Sequence, residues 1–169
     1  MLAFDFLFGF IGIIILTAFC LPGAFLVPSI AYWFMTPYAC GILEEYGIKK
    51  KMGYKDVVKI SLLIAVAGAL FILTIFFAGI QGVNSGMGLW RLSLRFLIFF
   101  WMVSIFDAIV LDWWMFTKTD IFGVLIKKKT GKAPEVMRVD AQWDGKEFLK
   151  LALEAVISVV LAWLFIRFG

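Results

Sequence analysis

An all-α, polytopic transmembrane bundle of four spans is the fold implied by three features of the chain. The first is composition: of 169 residues, 63% are hydrophobic, and the mean hydropathy is +1.00. Soluble domains run at roughly 45–50% apolar, and a soluble chain this greasy would expose patches that aggregate, so lipid is the solvent that suits it. The second is the presence of four apolar runs, each near or above the ~20 residues that a helix needs to cross a bilayer. The third is the placement of lysine and arginine, which concentrate in two stretches between those runs.

The first run extends over about 4–24, with a continuation, "AFLVPSIAYWFM", to about 36. A straight helix of that extent would overrun a ~30 Å hydrocarbon core at ~1.5 Å per residue. Proline removes a backbone donor and clashes with the preceding turn, so Pro22-Gly23 is the expected break and Pro28 a second stop. A tight hairpin meeting at "LPG" is the rival arrangement, although each half would be short for a full crossing. The second span is expected over 57–80, followed by the Gly-rich turn "QGVNSGMG". The third is expected over 90–116 and the fourth over 148–166. Trp90, Trp113, Trp114 and Trp163 fall near span ends, as an interfacial aromatic belt requires.

The segments 38–56 and 117–147 hold most of the lysines, so the positive-inside rule makes both cytoplasmic. The uncharged turn 81–89 then lies outside, as do both termini of a four-span chain. The expected location is the cell (inner) membrane, as a multi-pass protein. The net charge of +4 arises from loop lysines such as Lys49–Lys51 and Lys127–Lys129, which suit anionic lipid headgroups and not nucleic acid. "KKKTGKAPE" lacks the spacing of a phosphate-binding loop. No basic n-region opens "MLAFDFLFGF", so the first span is read as permanent and not as a cleaved leader. The chain has no histidine, and Cys20 and Cys40 form no CxxC pair. General-base chemistry by imidazole is thereby excluded, and a zinc site or structural disulfide disfavoured. No residue set names a cofactor or commits to a metal.

Ionisable groups inside a span cost about 2.5–3.5 kcal/mol each on insertion scales, so each needs a reason. Asp107, Asp112 and Glu154, with Lys59 and Lys150, all fall in the cytoplasmic half of their spans and point to one polar cluster. Lys150, Glu154 and Ser158 are spaced i, i+4, i+8 and form one stripe; Ser104 and Asp107 are i, i+3 and share a face. Asp107 and Asp112 are i, i+5, about 140° apart on a 3.6-residue turn, so only one of them can face the bundle. Asp107 is the deepest of the three carboxylates. It is either a neutral acid or an ion paired with Lys59 or Lys150. Near the outer end, Asp5, Arg91 and Arg95 share a level, so an Asp5–Arg95 ion pair competes with arginines that reach lipid phosphates. Small residues at Gly9 and Gly12, at Ala65, Gly68 and Ala69, and at Ala155, Ser158 and Ala162 would let backbones approach closely, within one bundle or between copies.

The segment "FDAIVLDWWMF" resembles one found in small, uncharacterised bacterial multi-spanning membrane proteins, in which an Asp-Trp pair ends the third span and an aliphatic or aromatic run follows. The resemblance covers about a sixth of the chain. The Pro-Gly-Thr-Glu-like stretch of the next loop in those proteins is absent, with "GKAPE" in its place. The resemblance implies a bacterial integral membrane protein and no particular activity.

Three functional classes follow. The leading one is a small transporter, channel or permease-associated subunit in which Asp107, helped by Glu154 and by Lys59 or Lys150, binds a cation or proton or lines a polar cavity. The second is an interfacial enzyme or lipid-binding protein acting on phospholipid-like substrates, with carboxylates as acid, base or cation ligands. The third is a structural scaffold. Four helices enclose little interior, so a homo-oligomer or a partner membrane subunit is expected in each case, alongside the membrane lipids themselves.

Overall fold

The computed structural model describes residues 2–33, 47–115 and 145–169, together with 41, 43–45, 124, 127 and 131. The described residues form helices α1 (Leu2–Leu26), α2 (Tyr54–Asn84), α3 (Leu89–Phe106) and α4 (Gly145–Phe168). A short 3₁₀ turn (Pro28–Trp33) follows α1, and a π-helical segment (Asp107–Met115) continues α3. Among the described residues, four stretches are long and apolar enough to cross a membrane: Phe4–Gly23, Tyr54–Asn84, Leu89–Leu111 and Phe148–Phe168. The chain is therefore a small, all-helical membrane protein. Most of the expected loop 117–147 and part of 38–56, Cys40 included, lie outside the described residues.

The interruption of the first span falls later than Pro22-Gly23. Helix α1 carries Pro22 in its interior and ends at Leu26, as one helix and not a hairpin at "LPG". The amide of Val27 still reaches the carbonyl of Gly23 at 3.0 Å, closing a turn beyond the proline. Pro28 then disfavours the α conformation at Val27, and the chain tightens into the 3₁₀ turn. Helix α2 is longer than its apolar run at both ends. It takes in Tyr54, Lys55 and Asp56 at the start and Gln81 to Asn84 at the finish.

Two compact units divide the chain. One comprises Met1–Leu16, Ala67–Phe106 and Trp143–Gly169, so it holds the start of α1, the end of α2, all of α3 and all of α4. Its core gathers Ala78, Met87, Leu92, Phe96 and Ala162, with Phe8 and Phe165 packed against them. Phe96 and Phe165 sit with ring centroids 5.7 Å apart, and Ser104 meets Glu154, so α3 and α4 run antiparallel. Glycines set the closest approaches. A Cβ at Gly12 would stand 2.6 Å from Val103 Cγ2, and one at Gly79 would stand 2.5 Å from Phe165 Cε1. Gly9 likewise lies against Met102. On α4, Ser158 and Ala162 are buried, so that small-residue stripe is used inside the bundle. On α2, by contrast, nothing lies within 4 Å of a Cβ at Gly68.

The turn from α2 to α3 is closed by a Schellman arrangement. The amide of Met87 reaches the carbonyl of Gly82 at 3.1 Å, and that of Gly86 reaches Val83 at 2.9 Å. Gly86 takes φ 69°, a left-handed conformation that a Cβ would disfavour.

The other unit comprises Thr17–Val66 and Asp107–Gln142. Among the described residues, its buried apolar side chains are Val27, Ile30, Leu43, Ile48, Ile60 and Leu111. A second Schellman turn closes here: Ile48 N donates to Leu43 O at 3.0 Å and Gly47 N to Glu44 O at 2.9 Å. Leu43 and Ile48 occupy the two positions whose apolar contact usually accompanies that motif. The hydroxyl of Tyr32 donates to the carbonyl of Ile48 at 2.7 Å, tying the 3₁₀ turn to this cap.

Candidate functional site

Two polar constellations are built inside the first unit. At the α2–α3 turn end, the first turn of α1 supplies Asp5, and α3 supplies Arg91 and Arg95 one turn apart. Arg95 Nε donates to Asp5 Oδ1 at 2.7 Å, and Arg91 Nη2 donates to Asp5 Oδ2 at 2.9 Å. Arg95 Nη1 reaches the carbonyl of Ala78 at 3.0 Å and also the Oε1 of Gln81, both near the end of α2. Its guanidinium carbon lies 5.6 Å from the centre of the Phe8 ring, within cation–π range. One arginine thus joins three helices. The side chains of Asp5 and Arg95 are each 1% exposed, whereas that of Arg91 is 34% exposed. Gln81 in turn donates from Nε2 to Ser85 Oγ at 3.2 Å, and Ser85 donates to the Gln81 carbonyl.

The second constellation lies between α3 and α4. Ser104 Oγ donates to Glu154 Oε1 at 2.5 Å. Ser158, one turn on, donates to the backbone carbonyl of Glu154 at 2.7 Å, and Trp101 Nε1 donates to the carbonyl of Leu151 at 3.2 Å. Ser104 and Ser158 are buried, and Glu154 is half-buried. Lys150, at the start of the same stripe, is exposed. Glu154 lies six residues into the apolar stretch Phe148–Phe168, about 9 Å along the axis from one end. The chemistry available is that of a carboxylate with a hydroxyl donor, set within a helix interface in the apolar part of the chain.

The remaining expected members of the inner cluster belong to the other unit. Lys59 is exposed near the start of α2, and Asp107 is half-buried as the first residue of the π-helical segment. Asp112 lies within that segment. Here the geometry expected from sequence is corrected. The angle of about 140° between residues 107 and 112 holds for an α-helix. A π-helix bonds i to i+5, so backbone positions five apart come one turn apart on the same side. The spacing that separates the two aspartates in an α-helix aligns their backbone positions here. Among the described residues, no three acidic or sulfur side chains converge as a metal site.

Gln81, Phe8 and Trp101 are the polar and aromatic contributors that sequence reasoning passed over. Gln81 was assigned to the turn 81–89, although it lies three residues from Ala78 and so on the same face of α2. A lone amide ending an apolar run, at the level of two arginines, is the signal that marks it.

The chain matches no family model, and no curated protein or solved structure matches it.

Proposed function

We propose that the protein is a small cation- or proton-binding membrane subunit, acting as a transporter, a channel or an associate of a permease, with Glu154 as its principal binding carboxylate. The observation that carries this reading is the Ser104–Glu154 hydrogen bond within the α3–α4 interface. A carboxylate at that depth is costly unless it binds something or holds helices together, and intramembrane acids commonly mark ion and proton pathways. The π-helical segment supports the same reading. Such segments are rare, are usually single turns, and occur frequently at functional sites; this one spans Asp107–Met115 and carries both aspartates.

In this proposal the lysine-rich segments face the cytoplasm of a bacterial cell, the membrane is the inner one, and the protein works as a homo-oligomer or with a partner membrane subunit. Lys150, one turn from Glu154 on the same face of α4, meets headgroups or the entering ion.

The test is flux into proteoliposomes with a pH-sensitive or cation-sensitive dye, comparing wild type with Glu154→Gln, Ser104→Ala and Asp107→Asn. Glu154→Gln should abolish flux while leaving the helical circular dichroism and melting transition close to wild type. A variant that conducts normally, or one whose loss of flux tracks loss of folding, would assign the carboxylate to architecture.

A further inference from the structure

The start of α2, from Tyr54 to Val66, lies within the second unit and carries two lysines one turn apart. Lys55 and Lys59 are spaced i, i+4, so they are neighbours on one face of the helix, with Cβ atoms about 5–6 Å apart. Both are exposed. The side chain of neither forms an ion pair or hydrogen bond with another described residue. Asp56, the carboxylate of the same turn, is half-buried and turned back over the helix start: a Cβ at Gly53 would stand 3.8 Å from Asp56 Oδ2. It also lies about 100° around the helix from Lys55. Two like charges are therefore left side by side, an arrangement that by itself destabilises a helix.

Lys59 stands about 6 Å further along the axis than Lys55, inside the stretch Tyr54–Asn84 that is apolar enough to cross a membrane. An ammonium group at that level needs water or an anion. Helical Cα–Cβ bonds tilt toward the N-terminus, so the stem of Lys59 runs back toward Lys55 and brings the two ammonium groups toward one level. Further along the same stripe come Leu62 and Val66, i+3 and i+7 from Lys59, both exposed. Exposed Tyr54 marks the membrane–water interface beside them. A charged pair above an apolar track is the outline of a phospholipid, with a phosphate at the head and an acyl chain below. Two ammonium groups are neutralised by two negative charges. A phosphate monoester carries about −1.5 to −2 at pH 7, whereas a diester carries one.

We propose that Lys55 and Lys59 bind the phosphate monoester headgroup of an anionic phospholipid in the leaflet at the Tyr54 end of α2, with one acyl chain lying along Leu62 and Val66. The site is independent of the Glu154 reading. Lys49, Lys50 and Lys51, exposed in the segment before α2, add a general attraction for anionic lipid. The preference for the monoester belongs to the Lys55–Lys59 pair.

The test is a native mass spectrometry titration of the full chain released from neutral detergent. Four probes are used: phosphatidic acid, phosphatidylglycerol and diacylglycerol with the same acyl chains, and inorganic phosphate. Phosphatidic acid should bind wild type more tightly than phosphatidylglycerol does. Lys55→Gln and Lys59→Gln should each weaken phosphatidic acid by about fivefold, and the double variant should bind the two lipids alike. Lys49→Gln with Lys50→Gln should weaken both lipids equally and keep the preference. Both lysines of the pair are exposed and make no side-chain contact of their own with a charged or polar partner among the described residues, so glutamine there leaves the fold in place. Equal affinity of wild type for the two lipids would overturn the proposal, as would a preference that survives the Lys55→Gln, Lys59→Gln double variant. So would diacylglycerol binding as tightly as phosphatidic acid, or inorganic phosphate displacing the lipid, which would make the site one for free phosphate.

Discussion

Replacing Asp5 by asparagine tests whether the Asp5–Arg95 pair is the principal clasp of the first unit. The substitution keeps the size and a hydrogen-bond acceptor but removes the negative charge. Arg95 is then left ionised at 1% exposure, because a guanidinium cannot shed its proton. Breaking a buried ion pair from one side typically costs about 3–5 kcal/mol, most of it the uncompensated charge. Loss of a neutral interhelical hydrogen bond in a membrane protein would cost only about 0.6–2 kcal/mol. The two magnitudes are far enough apart to decide. Arg91 provides the internal comparison. It contacts the same carboxylate at 2.9 Å but is 34% exposed, so Arg91→Gln should cost at most about 1 kcal/mol after solvent screening.

The assay is reversible unfolding in mixed micelles, titrated with a denaturing detergent and followed by tryptophan fluorescence and circular dichroism. Asp5→Asn should lower the unfolding free energy by about 3–5 kcal/mol. The double variant Asp5→Leu with Arg95→Met should recover most of that loss, since an apolar pair of similar volume is often neutral or stabilising. A cost below about 1 kcal/mol for Asp5→Asn, or a double variant worse than either single one, would refute the reasoning.

Three further perturbations follow from backbone geometry, read by the same unfolding titration. Gly79→Ala should destabilise by about 1–3 kcal/mol through overpacking against Phe165, whereas Gly68→Ala, with open space around it, should be neutral or stabilising by up to about 1 kcal/mol. Gly86→Ala should cost about 1–2 kcal/mol because it forces a Cβ into the left-handed conformation that caps α2, and hydrogen exchange should report faster opening of the Met87 amide.

The four spans were legible because hydropathy reads the solvent, and the solvent here is lipid. Their ends were not, for the same reason. Helix α2 continues through Lys55, Asp56 and Gln81, where hydropathy falls away but the backbone keeps its bonds. The break after Pro22 was misplaced because proline removes only one donor from a long helix, and neighbouring turns carry it through. Pro28 is decisive instead, since it constrains the residue before it as well. At the α2–α3 turn end, the shared level of Asp5, Arg91 and Arg95 was legible from span registration alone. The part played by Gln81 was not, because it depends on α2 being one turn longer than its apolar run.

The π-helical segment had no sequence signal of the usual kind. Residues 107–115 are apolar on almost every side, so no periodicity of 3.6 or of any other value stands out for a reader to follow. What the sequence does contain is a pair of aspartates five apart, which counts against a shared face in an α-helix and for one in a π-helix. Two expensive residues in one span are more economical on one side of a helix than on two, since a single polar path then serves both. The spacing of Asp107 and Asp112 is thus better explained by the wider helix than by chance placement on opposite faces.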